Sequence, residues 1–243
     1  MNTFKIDEAN TLLQDKTALE RVAYGIETFG DKAVLLSSMQ KTASVLMHFF
    51  YTLGVDNEIL FVDTGFHFQE TLVMRDEFMR RYKLNIVTLY PELTPEQQEE
   101  QYDGKLYQSF EGQPVCCELR KGVPFINYIL KQEHKVVYGG LRRAEGSLRG
   151  NLQIISEDPR INGFKVNPIL DWSDAMVDNY LRENAVPVHP LHAQSYPSIG
   201  CQCCTTPVKE GEKPRAGRWR HLREEGQDGP EYCEMNFSDG AGI

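Results

Sequence analysis

The sequence gathers its reactive side chains into two tight groups. Cys116 and Cys117 are adjacent in QPVCCELRK, and Cys201, Cys203 and Cys204 share SIGCQCCTTPV. The sixth cysteine, Cys233, stands apart in GPEYCEMNFSDG. Four thiolates from two loops can hold a structural zinc or an iron–sulfur cluster. Cys201 and Cys204 form a C-x-x-C turn, whose sulfurs readily face one metal site. Neighbouring residues on a strand point to opposite faces, so Cys116 and Cys117 reach one site only from a helical or kinked backbone. Zinc sites typically use two spaced pairs, so the tandem pair favours a cubane cluster and leaves zinc as the second reading. A redox-active C-x-x-C beside unrelated buried thiols is the third. Cys203 is then an extra ligand, a labile thiol or a small filler. Cys233 is a nucleophile that a tail segment could carry to a substrate and on to a reductant, or it is a bystander. Glu231 and Glu234 beside it oppose the activation that nearby Arg and Lys would give.

A second set of residues suits an anion. In a parallel sheet, ligands collect at the carboxyl ends of strands, where loops and helix N-termini present backbone N–H groups. LLSSMQKTASV places Ser37 and Ser38 at such an edge, and FVDTGFHF puts Asp63, Thr64 and Gly65 beside it. Neither stretch is a Walker A or G-x-G-x-x-G loop, and a plain helix-capping turn is the competing reading. GGLRRAEGSLR and KPRAGRWRHLR are basic islands in a chain of net charge −9. That balance argues against a general nucleic-acid binder, whereas such islands suit a small polyanion; solvated loops are the alternative.

The elements that must position these residues are short apolar strands alternating with helices. KAVLLSS (32–38), EILFVDT (58–64), NIVTLYP and KVVYGG (135–140) are expected strands. KTASVLMHFFYTLG reads as a helix closed by Gly54, and FHFQETLVMRDEFMRRYK as an amphipathic helix with Phe68, Leu72, Met79 and Tyr82 on one face. Residues 91–113 read as a polar helical excursion or loop, and 171–185 as a helix capped by Asp171 or Ser173. Alternation of this kind implies βαβ units and a mostly parallel sheet with flanking helices. The chain divides into an α/β body, 1–204, and a C-terminal basic segment and tail, 205–243, expected to be mobile or ordered by a ligand. No run of eighteen apolar residues and no signal-peptide pattern occurs, so a cytoplasmic location without membrane contact is expected.

Taken in order, these motifs resemble the assimilatory sulfonucleotide reductases, and within them the cluster-containing adenylylsulfate (APS) reductases. SSMQKTASV resembles the modified PP-loop, FVDTGFHFQET the strand-two motif, CCELRK the first cluster half and YGGLRRAEGSLR the arginine loop. FKVNPILDWS, HPLHAQSYPSIGCQCCT and GEKPRAGRW complete the series. The resemblance implies an adenine-nucleotide α-hydrolase-like fold and a 4Fe–4S cluster on Cys116, Cys117, Cys201 and Cys204. It implies a substrate site made of Ser37, Ser38, Asp63, Thr64, Gly65, Lys121, Arg142, Arg143, Arg149, Arg215 and Arg218. It further implies Cys233 as nucleophile, thioredoxin or a glutaredoxin-like protein as thiol donor, and a homo-oligomer. The chain departs from the family pattern in a slightly long spacer between Arg218 and Cys233 and in three motifs. EYCEMN replaces the usual Glu-Cys-Gly-Leu-His, Gln40 stands at a common glycine, and Cys203 stands where proline is usual.

Three rivals are set beside this reading. A reductase restricted to the 3′-phosphorylated substrate (PAPS) would usually lack the cluster cysteines, while dual specificity for APS and PAPS stays open beside it. A PP-loop sulfurtransferase or ATP pyrophosphatase would carry an SGGxDS loop. A cluster-bearing nucleotide binder without turnover would not need Cys233.

Overall fold

The structure is a computed structural model that describes residues 4–145 and 150–223. Arg149 and Cys233 lie outside the described residues. Six strands form one sheet in the order β3-β2-β1-β4-β6-β5. These are β1 (Ala33–Leu36), β2 (Ile59–Val62), β3 (Ile86–Leu89), β4 (Val136–Tyr138), β5 (Ile155–Asp158) and β6 (Gly163–Val166). Every pairing is parallel except β5 with β6. The strands β1, β2 and β4 are continuous apolar runs because both sheet faces are covered. Alternate residues divide between two cores: Ala33, Leu35, Ile59, Phe61, Val136 and Tyr138 face one, while Val34, Leu60, Val62 and Val137 face the other.

The larger core is covered by α1 (Ile6–Gln14), α2 (Ala18–Phe29), α3 (Lys41–Leu53), α4 (Gln69–Tyr82) and α8 (Asp174–Glu183). Between α4 and α8 run α5 (Pro95–Gln101), α6 (Gly112–Cys117) and α7 (Val123–Lys131), and α7 supplies Phe125 and Ile129 to the smaller core. Gly54 ends α3 at φ 65°, a left-handed position suited to glycine. Within α4 the buried face is Thr71, Met74, Phe78 and Tyr82, whereas Met79 is exposed. The expected stripe through Met79 was therefore displaced by one position. Ser173 caps α8, accepting from the Met176 N–H at 3.2 Å. Asp171 instead holds the buried Arg21 by two bonds of 2.8 and 2.9 Å, and that pairing lowers the carboxyl's pKa from its ordinary value. Among the described residues, no helix is long and apolar enough to cross a membrane.

Candidate active site

Two neighbouring hollows open at the carboxyl edge of the sheet. The larger is a cavity of about 850 Å³ whose walls include Ser38 after β1, Lys41 and Thr42 at the start of α3, and Gly139–Gly140 after β4. Gly140 lies so close to α3 that an added Cβ would sit 2.6 Å from Thr42 Oγ1, so glycine there lets the β4 loop meet the helix. Arg142, Arg215, Arg160, Lys165 and Lys213 also line the cavity, together with Glu145, Asp158, Asp174 and Asp178. The excess of cations over carboxylates suits an anionic ligand.

Not every expected residue faces this cavity. Ser38 does, but Ser37 is buried, with its hydroxyl against Met39 and Met47 and accepting from the Met39 N–H at 3.2 Å. Successive residues of an extended chain point in opposite directions, so the two serines could not share one face. Arg142 lines the cavity with its guanidinium already bonded to Asp174 (2.6 Å), Glu145 (3.2 Å) and the Trp172 carbonyl (3.3 Å). Arg143 turns away and donates twice to the Leu152 carbonyl. Arg215 lines the cavity and donates to Ser198 Oγ at 3.2 Å.

The smaller hollow is walled by Cys116, Cys117, Cys201, Cys203 and Cys204 with Phe66, Tyr107, Gln113, Arg120 and Lys121. The tandem cysteines end α6, and the chain passes into a π-helical turn at Glu118–Gly122. This helical backbone is what lets adjacent thiols reach one pocket. Cys201 precedes, and Cys203 and Cys204 occupy, a 3₁₀ turn at Gln202–Cys204. Cys116, Cys117, Cys201 and Cys204 are buried, while Cys203 is half-buried.

Polar donors meet the sulfurs. The Gln113 side-chain amide donates to Cys117 Sγ at 3.0 Å and that of Gln98 to Cys116 Sγ at 3.5 Å, while Thr64 Oγ1 lies 3.4 Å from Cys201 Sγ. Burial pushes the Cys116 thiol up. A hydrogen bond from Cys203 holds Cys201 and Cys204 down, and Lys121 adds to both.

Asp63, Thr64 and Gly65 serve this second hollow. Asp63 Oδ1 accepts from the Gly65 N–H at 3.0 Å, shaping the turn that aims Thr64 at Cys201. Two residues missed by sequence reasoning fasten it. Arg120, almost wholly buried, donates to the Thr64 carbonyl at 2.5 Å and to Gln98 Oε1 at 3.1 Å, and its guanidinium stacks 4.9 Å from the Phe66 ring. The partners are 56 and 22 residues away in sequence, and spacing gave no signal of them.

Segment 198–219 joins the hollows. The Ile199 N–H donates to Gln40 Oε1 at 2.9 Å, tying the loop after β1 to the second cysteine group. Arg218 is 5% exposed and stacks 4.6 Å from the Trp219 ring centroid. A Cβ on Gly200 would lie 2.3–2.4 Å from its guanidinium atoms, so glycine at 200 makes room for the arginine. Among the described residues no carboxylate pairs with Arg218, and its Nε has no hydrogen-bond partner.

A mostly parallel sheet with a cation-rich cavity beyond its strand ends defines a PP-loop-like nucleotide-binding fold. The model of the phosphoadenosine phosphosulfate reductase domain matches residues 32–207. The chain is 39% identical over 216 residues to the adenosine 5′-phosphosulfate reductase of Halalkalibacterium halodurans, covering 88% of this chain and 91% of that one. It is 38% identical over 210 residues to the enzyme of the same name from Mycolicibacterium smegmatis, covering 86% of each. The solved phosphoadenylyl-sulfate reductase of Candida auris, a phosphate complex, superposes with a TM-score of 0.74 at 22% identity, covering 85% of this chain and 98% of that one. The chain belongs to the phosphoadenosine phosphosulfate reductase family.

Proposed function

We propose that the chain reduces adenylylsulfate to sulfite and AMP in assimilatory sulfate reduction. The observation that carries this reading is Arg218: a buried guanidinium with no carboxylate partner among the described residues, held in the segment that supplies Ser198 and Arg215 to the nucleotide-sized cavity and Cys201 and Cys204 to the cysteine pocket. A buried charge is costly unless compensated, and a phosphosulfate would compensate it. Ser38, Arg215 and Lys121 complete the cradle in this reading, with Arg149 joining by resemblance.

The Cys233 thiolate attacks the sulfur of adenylylsulfate. The bond from sulfur to the bridging oxygen breaks, AMP leaves with its electron pair, and an S-sulfocysteine remains. Cationic side chains stabilise the charge that develops on the leaving phosphate. One thiolate of a reduced thioredoxin-type dithiol then attacks Cys233 Sγ and expels sulfite. The donor's second thiol closes its disulfide and frees Cys233, so the two electrons come from the dithiol.

In the same reading Cys116, Cys117, Cys201 and Cys204 hold a 4Fe–4S cluster. The donor set fits: the four buried thiols line one pocket, and side-chain amides point at two of them. Bound there, the cluster would supply structural support and an electrostatic influence on the neighbouring anion site.

The test is to mix anaerobically purified protein with adenylylsulfate and no reductant, then measure intact mass and map the modified residue. A sulfite-sized addition on Cys233 with release of AMP is expected, and Cys233→Ser should show none. No adduct from a protein with full iron–sulfur absorbance would overturn the assignment. A parallel sample with the 3′-phosphorylated nucleotide should react more slowly; faster reaction would move the substrate to PAPS.

A further inference from the structure

The four-cysteine reading leaves one thiol of the pocket unused. Cys203 lines the same hollow as the other four cysteines and is packed against Cys201, Cys204, Trp219 and Leu222. Its Sγ lies 3.7 Å from Cys204 Sγ, so the two sulfurs are in contact. A straight strand would send neighbouring side chains to opposite faces; the 3₁₀ turn at Gln202–Cys204 brings this pair together.

The turn is fixed by backbone bonds that owe nothing to either thiol. The Cys204 N–H donates to the Cys201 carbonyl at 3.0 Å, and the Trp219 N–H donates to the Cys204 carbonyl at 2.8 Å. Thr205 Oγ1 donates to the Cys201 carbonyl at 2.9 Å and accepts from the Gly200 N–H at 3.2 Å. Loss of the Cys204 side chain would therefore leave the loop in place with Cys203 beside the vacated position. Cys116 has no such neighbour: its partner in sequence, Cys117, is itself a ligand in this reading, and the contact to Cys116 Sγ comes from the Gln98 amide.

We propose that Cys203 is a reserve ligand, able to bind the iron in place of Cys204, so that the site has two interchangeable ligand sets sharing Cys116, Cys117 and Cys201. The inference rests on the cluster reading above. The exchange is a ligand substitution: one iron–thiolate bond forms as another breaks, Cys203 gives up a proton and Cys204 takes one, and no electron moves. Its consequence is that alkylation or oxidation of the Cys204 sulfur would not by itself empty the site.

The experiment compares full-length wild type, Cys203→Ala, Cys204→Ala, the Cys203→Ala/Cys204→Ala double variant and Cys116→Ala, each purified anaerobically. Iron and acid-labile sulfide per chain, visible absorbance and electron paramagnetic resonance are the readouts, with near-ultraviolet circular dichroism as the folding control. Wild type and Cys203→Ala should match. Cys204→Ala should keep most of its iron and a four-iron signal. The double variant and Cys116→Ala should lose iron several-fold or fall to a three-iron signal. If Cys204→Ala fails to fold, Cys204→Ser with and without Cys203→Ala gives the same comparison. Iron loss in the Cys204 variant as complete as in the double variant would overturn the proposal, as would full retention in both. Wild type lacking iron and sulfide after anaerobic reconstitution would overturn the cluster reading itself, and this inference with it.

Discussion

The nucleotide-sized cavity and the cysteine pocket lie side by side but are built in opposite ways. The cavity is a product of topology: Ser38 and Gly139–Gly140 follow adjacent parallel strands whose register places their ends together. The cysteine pocket depends on side chains from distant segments meeting in a buried space, with Thr64, Gln98, Cys116, Arg120 and Cys201 each in contact with another of the set. A hollow of the first kind should lose function by degrees when a side chain is trimmed. A buried, mutually satisfied network should fail more abruptly, because each lost partner leaves another polar group unpaired.

Arg218 lies in the segment that links both regions, and its removal should produce the largest effect. Charge-assisted hydrogen bonds contribute about 1.5–3 kcal/mol each, so Arg218→Ala should weaken adenylylsulfate binding by about a hundredfold. Arg218→Lys should recover little of this, since an ammonium cannot reproduce the planar stack on Trp219 that Gly200 accommodates. Anaerobic calorimetry on both variants checks it. Affinity within a few-fold of wild type would detach Arg218 from the anion site and separate the two hollows.

A pH experiment asks which region gives way first. His189 is buried just before the segment that leads to Cys201; it accepts the Leu191 N–H on Nδ1 at 3.3 Å and its Nε2 lies 3.0 Å from Thr71 Oγ1. Nδ1 is thus the acceptor, and Nε2 carries the proton of the neutral ring. Burial, followed by the nearby His192, lowers its pKa from 6.5 to about 4. The unfolded chain therefore takes up this proton first. The contribution to stability is complete above pH 6.5, declines as pH falls towards 4, and is gone below that. Between pH 7 and pH 5 the decline should be about 2 kcal/mol. Denaturant titrations of wild type and His189→Gln should show a shallower slope in the variant; equal slopes would remove His189 as the cause.

The same contrast explains what the amino-acid sequence made legible. The strands β1, β2 and β4 announce themselves because a strand buried on both faces must be apolar throughout, as Ile59–Val62 is, and the edge strand β3 was legible as well from its run Ile86–Leu89. β5 was not foreseen: Ile155–Asp158 reads ISED, an antiparallel edge strand with little apolar content. Nor was α2, although Thr17 and Glu20 form a capping box at its start. In the site, the cysteines were visible from spacing, and so was the strand edge that bears Ser38. The orientation of Ser37 was not, because only the backbone after β1 decides which serine turns outwards. Arg120 and Gln98 were hidden for a different reason. Their roles consist of contacts with one another and with Thr64, and nothing local in either segment encodes a partner so distant.

The smallest predicted effect tests how far the pocket's network extends beyond its ligands. Gln113 is only partly buried and donates to Cys117 Sγ at 3.0 Å, while Gln98 is buried and engaged by Arg120. Trimming Gln98 would leave a buried guanidinium short of a partner, so it would test stability as much as the sulfur. Gln113→Ala removes one donor and leaves the rest of the network paired. Hydrogen bonds to ligand sulfur disperse its negative charge and ease reduction of a bound cluster. With the proposed cluster bound, the variant should therefore match wild type in iron content and thermal midpoint, with a reduction potential shifted to more negative values in anaerobic titration. An unchanged potential would mean that the Gln113 contact shapes α6 without tuning the sulfur. Loss of iron would mean that even a single outlying donor is required, and that the pocket fails as a unit.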